Sequence, residues 1–368
     1  MKKKIRKDSF EAFISLLQES YRLIGPAVDD GVVVMREIVF DDIPAGYRDH
    51  QSPGSYRLSK GDDADIFSFA PGPDSFKRVL HPPEKELFAF RRGKSGIVID
   101  PLPARDRPVA LLGVRGCDLT ALKLYDRVFL EGPVQDRTYH HLRSNSLIIA
   151  FNCLFPGDTC FCASLGTGPE VKDYFDICMT ELEDSFLLEA ATERGKEMVG
   201  RLSAEAPNDA DWKGKRMRVD RCARMMKKTI AAHELPDIIY RNLDHPCWNE
   251  IAARDLECGN CTQVCPTCFC NSIYEIPHLD GLLRSPPETS GVRVRKWDSC
   301  FSTNFASVHG GNFRYSRSAR YRHWISHKLA YTGAQFGLPG CVGCGRCITW
   351  CPAGIDITEE LEALRNVR

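Results

Sequence analysis

Three short apolar runs stand out in the first half of the chain: Ile97–Ile99, Val109–Val114 and Leu147–Phe151. They are β-branched or aliphatic and are bounded by Gly, Pro, Asp or Asn, a pattern that predicts buried strands. A helical repeat near Asp118–Phe129 separates the last two. Strand, helix, strand predicts an α/β layer. Residues 1–60 mix a helical pattern (SFEAFISLLQESYRLIG) with turn-rich segments, and residues 180–230 read as helical, ending in a basic helix around Arg218–Lys228. From about Leu235 strand signals fade. Helices and cysteine motifs take over, joined by Pro- and Gly-containing connections at Pro286–Pro287 and Gly337–Gly340. The expected fold class is α+β: an N-terminal α/β domain over residues 1–220 and a mainly helical, ferredoxin-like domain over 221–368, with the junction between 205 and 235.

With 368 residues, 43% of them apolar, the chain has enough material for two cores. Its 49 basic and 49 acidic residues cancel, which argues against a general nucleic-acid binder. The start, MKKKIRKDSF, is basic but leads into no apolar run, so a secretory signal is not expected. No stretch approaches the roughly 18 apolar residues of a membrane span. The expectation is a soluble, cytoplasmic chain.

Seventeen cysteines change the picture. In a reducing compartment structural disulfides are rare and metal sites common. None occurs before Cys117, and ten lie between Cys258 and Cys351. The run Cys341-x2-Cys344-x2-Cys347-x3-Cys351-Pro352 is the bacterial ferredoxin spacing, in which three thiolates hold one cubane and the fourth reaches another. Short loops of this kind aim backbone amides at the cluster sulfurs and offset their charge. Zinc ribbons pair two x2 knuckles and have no use for the Cys-Pro tail.

The crossover requires a second motif, and Cys258-x2-Cys261-x3-Cys265-Pro266 supplies it. One [4Fe–4S] cluster then takes Cys341, Cys344, Cys347 and Cys265. The other takes Cys258, Cys261, Cys351 and a fourth ligand. Asp255 sits in register for that corner, although a carboxylate is harder than a thiolate and holds iron less tightly. Cys300 in RKWDSCF and the pair Cys268/Cys270 in CPTCFC are the rivals, and an open corner is a further alternative. Thiols left over are expected to be buried as small apolar groups.

A quieter set lies in the first half: Cys117, Cys153, Cys160 and Cys162. Cys117 and Cys153 each follow a predicted strand. If those strands are parallel neighbours, both thiols face the carboxyl edge of the sheet, where α/β proteins place ligands. Cys160 and Cys162 follow a Pro-Gly turn that folds back over that edge. Four thiolates there suit a third [4Fe–4S] cluster; zinc and inert buried cysteines are the alternatives. Cys178, Cys222 and Cys247 are isolated and read as structural.

No dinucleotide or P-loop glycine motif occurs, and Gly166–Pro169 reads as a tight turn. The ten histidines form no recognisable metal pattern, and no catalytic triad or carboxylate pair is visible. Residues 312–328 carry five Lys/Arg, two His and no acid. They read as a docking face or a basic cover over anionic clusters, with nucleic-acid contact and a plain solvated helix as alternatives.

The segments GVRGCDLTAL, CFC, GTGP, CGNC, VCPTCFC, WDSCF, GGNFR, YRHWISHK and CVGCGRCITWCPAGIDI together resemble the β subunit of sulfhydrogenase-type NiFe hydrogenases and the A subunit of anaerobic sulfite reductase. The likeness spans roughly residues 75–360. It implies a dicluster electron carrier working between a flavin/NAD(P)-binding, diaphorase-type subunit and a hydrogenase or reductase catalytic subunit. Asp255 departs from that family, in which a cysteine is usual. The expected function is therefore electron transfer with no catalytic residue, no nucleic acid and no membrane span. The competing readings are a redox enzyme with a substrate site near Cys117 and Arg115, and a metal- or redox-sensing regulator.

Overall fold

The computed structural model describes residues 1–61, 65–93, 96–101, 107–279 and 289–366; the Pro286–Pro287 connection lies outside them. Strands β1 (Lys2–Arg6), β2 (Arg22–Asp29) and β3 (Val32–Glu37) flank helix α1 (Phe10–Ser20), and β4 (Tyr47–Ser52) with β5 (Ser55–Lys60) forms a hairpin. After α2 (Lys77–Leu80) come β6 (Glu84–Gly93), β7 (Gly96–Pro101) and β8 (Val109–Val114). Next follow α3 (Gly116–Phe129), α4 (Arg137–Ser144), β9 (Ser146–Phe151), β10 (Ile177–Glu181) and β11 (Ser185–Ala190). The large sheet runs β1-β11-β10-β9-β8-β2-β3. Its centre, β2-β8-β9-β10, is parallel, and antiparallel strands close both edges.

The α/β layer follows from the apolar runs. Successive side chains of a strand face opposite ways, and both faces of β8 and β9 are covered. Ala110, Leu112, Leu147, Ile149 and Phe151 pack with Phe10, Phe13, Ile14 and Leu17 of α1. Val109, Leu111, Ile148 and Ala150 pack with Leu119, Leu122, Tyr125 and Tyr139 from α3 and α4. Each such Val, Leu, Ile or Phe side chain contributes about 1.5–3 kcal/mol when fully buried.

The second half holds α5 (Glu193–Gly200), α6 (Asp209–Met225), α7 (Leu235–Arg241), α8 (Cys247–Arg254) and α9 (Asn260–Gln263), then β12 (Asn271–Pro277) and β13 (Thr289–Trp297). The chain ends with α10 (Arg317–Ser326), α11 (Thr332–Phe336), α12 (Arg346–Thr349) and α13 (Ile357–Arg365). Ile238, Ile239, Trp248, Ile251, Trp324, Ile348 and Leu361 form a separate core that also takes in Cys300 and Cys341.

Three expectations need correction. The second half is not free of strands: β12 and β13 join β6 and β7 in an antiparallel sheet of order β12-β13-β6-β7, mixing segments from both halves. SFLLEA is strand β11, because β1 and β10 flank it and supply its backbone partners. Ile97–Ile99 is a strand as read, but it is an edge strand, and Ile97 is 69% exposed.

Candidate metal centre

The Cys341–Cys351 segment is shaped by glycines. Gly343 and Gly345 adopt φ of +64° and +72°, which side-chain-bearing residues rarely hold. A Cβ on Gly343 would lie 2.7 Å from the Cys162 backbone, and one on Gly345 would lie 2.5 Å from the Thr159 carbonyl. The segment thus lies flush against the turn carrying Cys160 and Cys162, and the Phe161 amide donates to the Gly343 carbonyl at 2.8 Å. The β4–β5 hairpin covers its other side. The Gly54 amide donates to Ile348 O at 3.0 Å, and Tyr56 stacks on Trp350 at 5.1 Å.

Cys341, Cys344, Cys347 and Cys265 are neighbours. Burial pushes the Cys347 thiol up, and nearby Cys341, Cys344 and Cys265 push it further. Cys341 rises to about 12, chiefly through burial, with Cys265 and Cys344 adding to it against the opposing Lys328. Cys265 goes the other way. Burial opposes its ionisation, but hydrogen bonding with Cys268, Lys328 and Thr267 holds it well below the ordinary thiol value. Lys328 Nζ lies 2.9 Å from Cys265 Sγ, and Thr267 Oγ1 lies 3.0 Å from it.

Asp255, Cys258 and Cys351 gather around Cys261, whose thiol is raised first by burial and next by Asp255. Asp255 follows α8 directly. Its Oδ1 accepts the Glu257 amide at 3.0 Å, while Oδ2 is buried with no partner among the described residues. Burial holds this carboxyl above its usual range. Cys351 Sγ accepts the Ile355 amide at 3.4 Å, and Cys258 is exposed. Of the rivals, Cys300 faces Cys270, Cys268 and also Cys261, and Cys268 lies beside Cys265.

In the α/β layer β8 and β9 are parallel neighbours, which meets the condition set by the sequence reading. Cys117 lies in the first turn of α3 just past β8, and Cys153 follows β9. Both line one small, largely enclosed cavity with Cys160, Cys162, Cys344, Arg115, Arg346 and Met226. Arg115 is 2% exposed, and its Nε and Nη1 have no hydrogen-bond partner among the described residues. Its Nη2 donates to the Phe69 carbonyl at 3.2 Å, and the guanidinium faces the Cys153 thiol. Arg346 grips Asp118 through two bonds of 2.6 and 3.1 Å. This pair ties the start of α3 to the Cys341–Cys351 segment. Cys222, read from sequence as isolated, sits near Cys153 and Cys160.

The basic 312–328 stretch is not one exposed face. Arg320, Tyr321, Trp324 and Lys328 are buried, Arg320 pairs with Glu257, and Lys328 reaches Cys265. No local sequence pattern foretells that Lys77 of α2 is buried over Trp297 and donates to the α9 carbonyls. Among the described residues, no three His, Cys, Asp or Glu side chains are placed to hold a single metal ion.

Thiol-rich sets backed by buried cations suit anionic, sulfur-bound metal clusters. Residues 254–355 match the profile of the 4Fe-4S dicluster domain family, which makes this an iron–sulfur protein. The chain is also 31% identical, over 99% of its length and 98% of the relative's, to the Sulfhydrogenase 2 subunit beta of Pyrococcus furiosus. It belongs to the sulfhydrogenase β-subunit family. No solved structure matches it, and among the described residues no helix is long and apolar enough to cross a membrane.

Proposed function

We propose that the chain is the electron-transferring subunit of a cytoplasmic redox complex. Cys341, Cys344, Cys347 and Cys265 would hold one [4Fe–4S] cluster. Cys258, Cys261, Cys351 and Asp255 would hold a second, and Cys117, Cys153, Cys160 and Cys162 a third. When bound, such clusters exchange single electrons, with potentials set by burial, charge and hydrogen bonds to sulfur. The protein fixes spacing and environment. The backing cations Lys328 and Arg115 offset negative charge, and the two half-chains are pinned together by Arg346 and Asp118.

The observation that carries the dicluster is the crossover: Cys265 lies among Cys341, Cys344 and Cys347, while Cys351 lies with Cys258 and Cys261. The third site is supported by Arg115, a buried cation whose free donors need an anion. The relative's name points to a hydrogenase complex, in which this subunit would stand between a flavin/NAD(P)-binding diaphorase and the hydrogenase catalytic subunit. Iron and acid-labile sulfide assays on anaerobically purified protein test the reading. Near-zero iron would end it, and iron sufficient for two clusters alone would remove the α/β-layer site.

A further inference from the structure

Among the described residues Cys258 is the exposed cysteine; the others are buried or half-buried. With Cys351 it opens onto a surface groove of about 470 Å³ walled by Val32, Tyr56, Trp350 and Pro352. Of the thiolates assigned to clusters above, Cys258 is thus the one that meets solvent directly. The chain just before it is bent. Glu257 has φ of +55°, in the left-handed region that a side-chain-bearing residue seldom occupies. Its amide is tied to Asp255 Oδ1, and its carboxylate is gripped by the buried Arg320 of α10 and approached by Arg317 at 3.6 Å. Beside this bend Leu256 is 61% exposed.

Arg320 also carries the segment before α10. Its Nη1 donates to the carbonyls of Arg314 (2.9 Å) and Tyr315 (2.7 Å). The Phe313 amide donates to the Ala306 carbonyl at 3.2 Å, and the Arg314 amide to Asn312 Oδ1 at 2.7 Å. These bonds fix the backbone and hold two aromatic rings out in water: Phe313 is 76% and Tyr315 83% exposed. One guanidinium therefore joins the segment bearing Cys258 to the segment bearing the aromatics. Large apolar side chains displayed on a fixed backbone are of the kind that anchors protein interfaces. The surrounding charge is uneven. Four arginines, Arg254, Arg314, Arg317 and Arg320, outnumber the carboxylates of Asp255, Glu257 and Glu360 that face them.

We propose that Leu256, Phe313 and Tyr315 form the docking face for a protein that carries a one-electron centre and presents an apolar patch rimmed by acids. Cys258 is then the corner through which electrons enter or leave the second cluster. The inference rests on the electron-transfer reading above. A second copy of this chain fits less well, since its matching face carries the same positive rim.

The test uses the complex purified without oxygen through this chain, alongside the isolated chain. A photo-cross-linking amino acid in place of Tyr315 should join a subunit that holds flavin or iron–sulfur. Phe313→Glu/Tyr315→Glu should weaken retention of that subunit by about tenfold or more, with the iron content and EPR signals of the isolated chain unchanged. Hydroxyl-radical labelling of the unmodified protein reads the same face without any variant: Leu256, Phe313 and Tyr315 should be labelled in the isolated chain and protected in the complex. Equal labelling in both, a cross-link to a second copy of this chain or to a subunit without a redox cofactor, or undiminished retention by the double variant would each overturn the proposal. An isolated chain without iron or cluster signals would instead count against the electron-transfer reading.

Discussion

The two best-defined thiol sets are built in opposite ways. In the Cys341–Cys351 segment the donors are consecutive, and two left-handed glycines bend a single loop around them. In the α/β layer four donors arrive from separate places: a helix start, a strand end and a returning turn. Three of the four thiols of the first set come from one short peptide, with Cys265 brought in from beyond α9, while the second set exists only once β8 and β9 lie parallel. They are not independent, since Cys344 lines the cavity of the second set and Arg346–Asp118 joins the two. A local site survives small errors in packing. An assembled one depends on the whole sheet.

Breaking each set in turn exposes that difference. Cys347→Ser should have the largest effect. The cluster it is proposed to hold would be lost, about four irons per chain, and the helical core around Cys341 and Ile348 would loosen with it. Iron assay and a thermal melt followed by far-UV circular dichroism would show both losses together. Cys153→Ser should remove a similar amount of iron but leave the melt nearly unchanged, because the sheet core does not rest on that thiol. Equal effects of both substitutions on the melt would dissolve the contrast. Next in size is the link between the regions. Asp118→Asn leaves the Arg346 guanidinium buried beside a neutral group, at a cost of about 3–5 kcal/mol. Denaturant unfolding measures it directly.

This contrast also explains what could be read in advance. The crossed ferredoxin sets proposed above are read from spacing, and the places of Cys117 and Cys153 just past β8 and β9 follow from the apolar runs. Lys77, Lys328 and Arg115 did not announce themselves. Each acts through a contact made across distant chain segments, and a lone lysine or arginine in sequence looks like a solvated one. Strands β12 and β13 escaped notice because NSIYEIP and SGVRVRKW carry polar and charged residues among short apolar ones, and their pairing comes from each other and from β6 on β13. SFLLEA carries an apolar block that suits helix and strand equally until β1 and β10 choose between them.

A third prediction concerns the seam where the antiparallel sheet meets α3. His81 is fully buried against Tyr125, Phe129 and Trp297, and neither ring nitrogen has a partner among the described residues. Burial lowers its pKa to about 3, with Arg295 and Lys77 adding to the effect. Below the usual value of about 6.5 the unfolded chain binds the proton and the folded one does not. Stability from this residue is therefore present above about pH 6.5 and is lost as pH falls toward the folded value. The loss should reach up to about 3 kcal/mol near pH 4. His81→Leu should flatten that part of the profile in denaturant titrations; an unchanged slope would place the acid sensitivity elsewhere.

The smallest effect should come from Asp255, and it separates the two kinds of site most finely. The carboxylate occupies the position that a thiolate takes in the Cys341 run, and its Oδ2 is buried beside Cys261 with no partner among the described residues. An oxygen donor is harder and gives less electron density to iron than sulfur does. Asp255→Cys should therefore yield a cluster of lower potential and altered EPR spectrum. Folding stability should fall by only about 1 kcal/mol, the Glu257 amide losing its carboxylate acceptor. The same substitution discriminates between ligand sets. If Cys300 were the fourth donor, replacing Asp255 would leave the spectrum as it was, and Cys300→Ser would change it. If Asp255 is the donor, the order reverses: Asp255→Cys moves the signal of the second cluster, and Cys300→Ser does not.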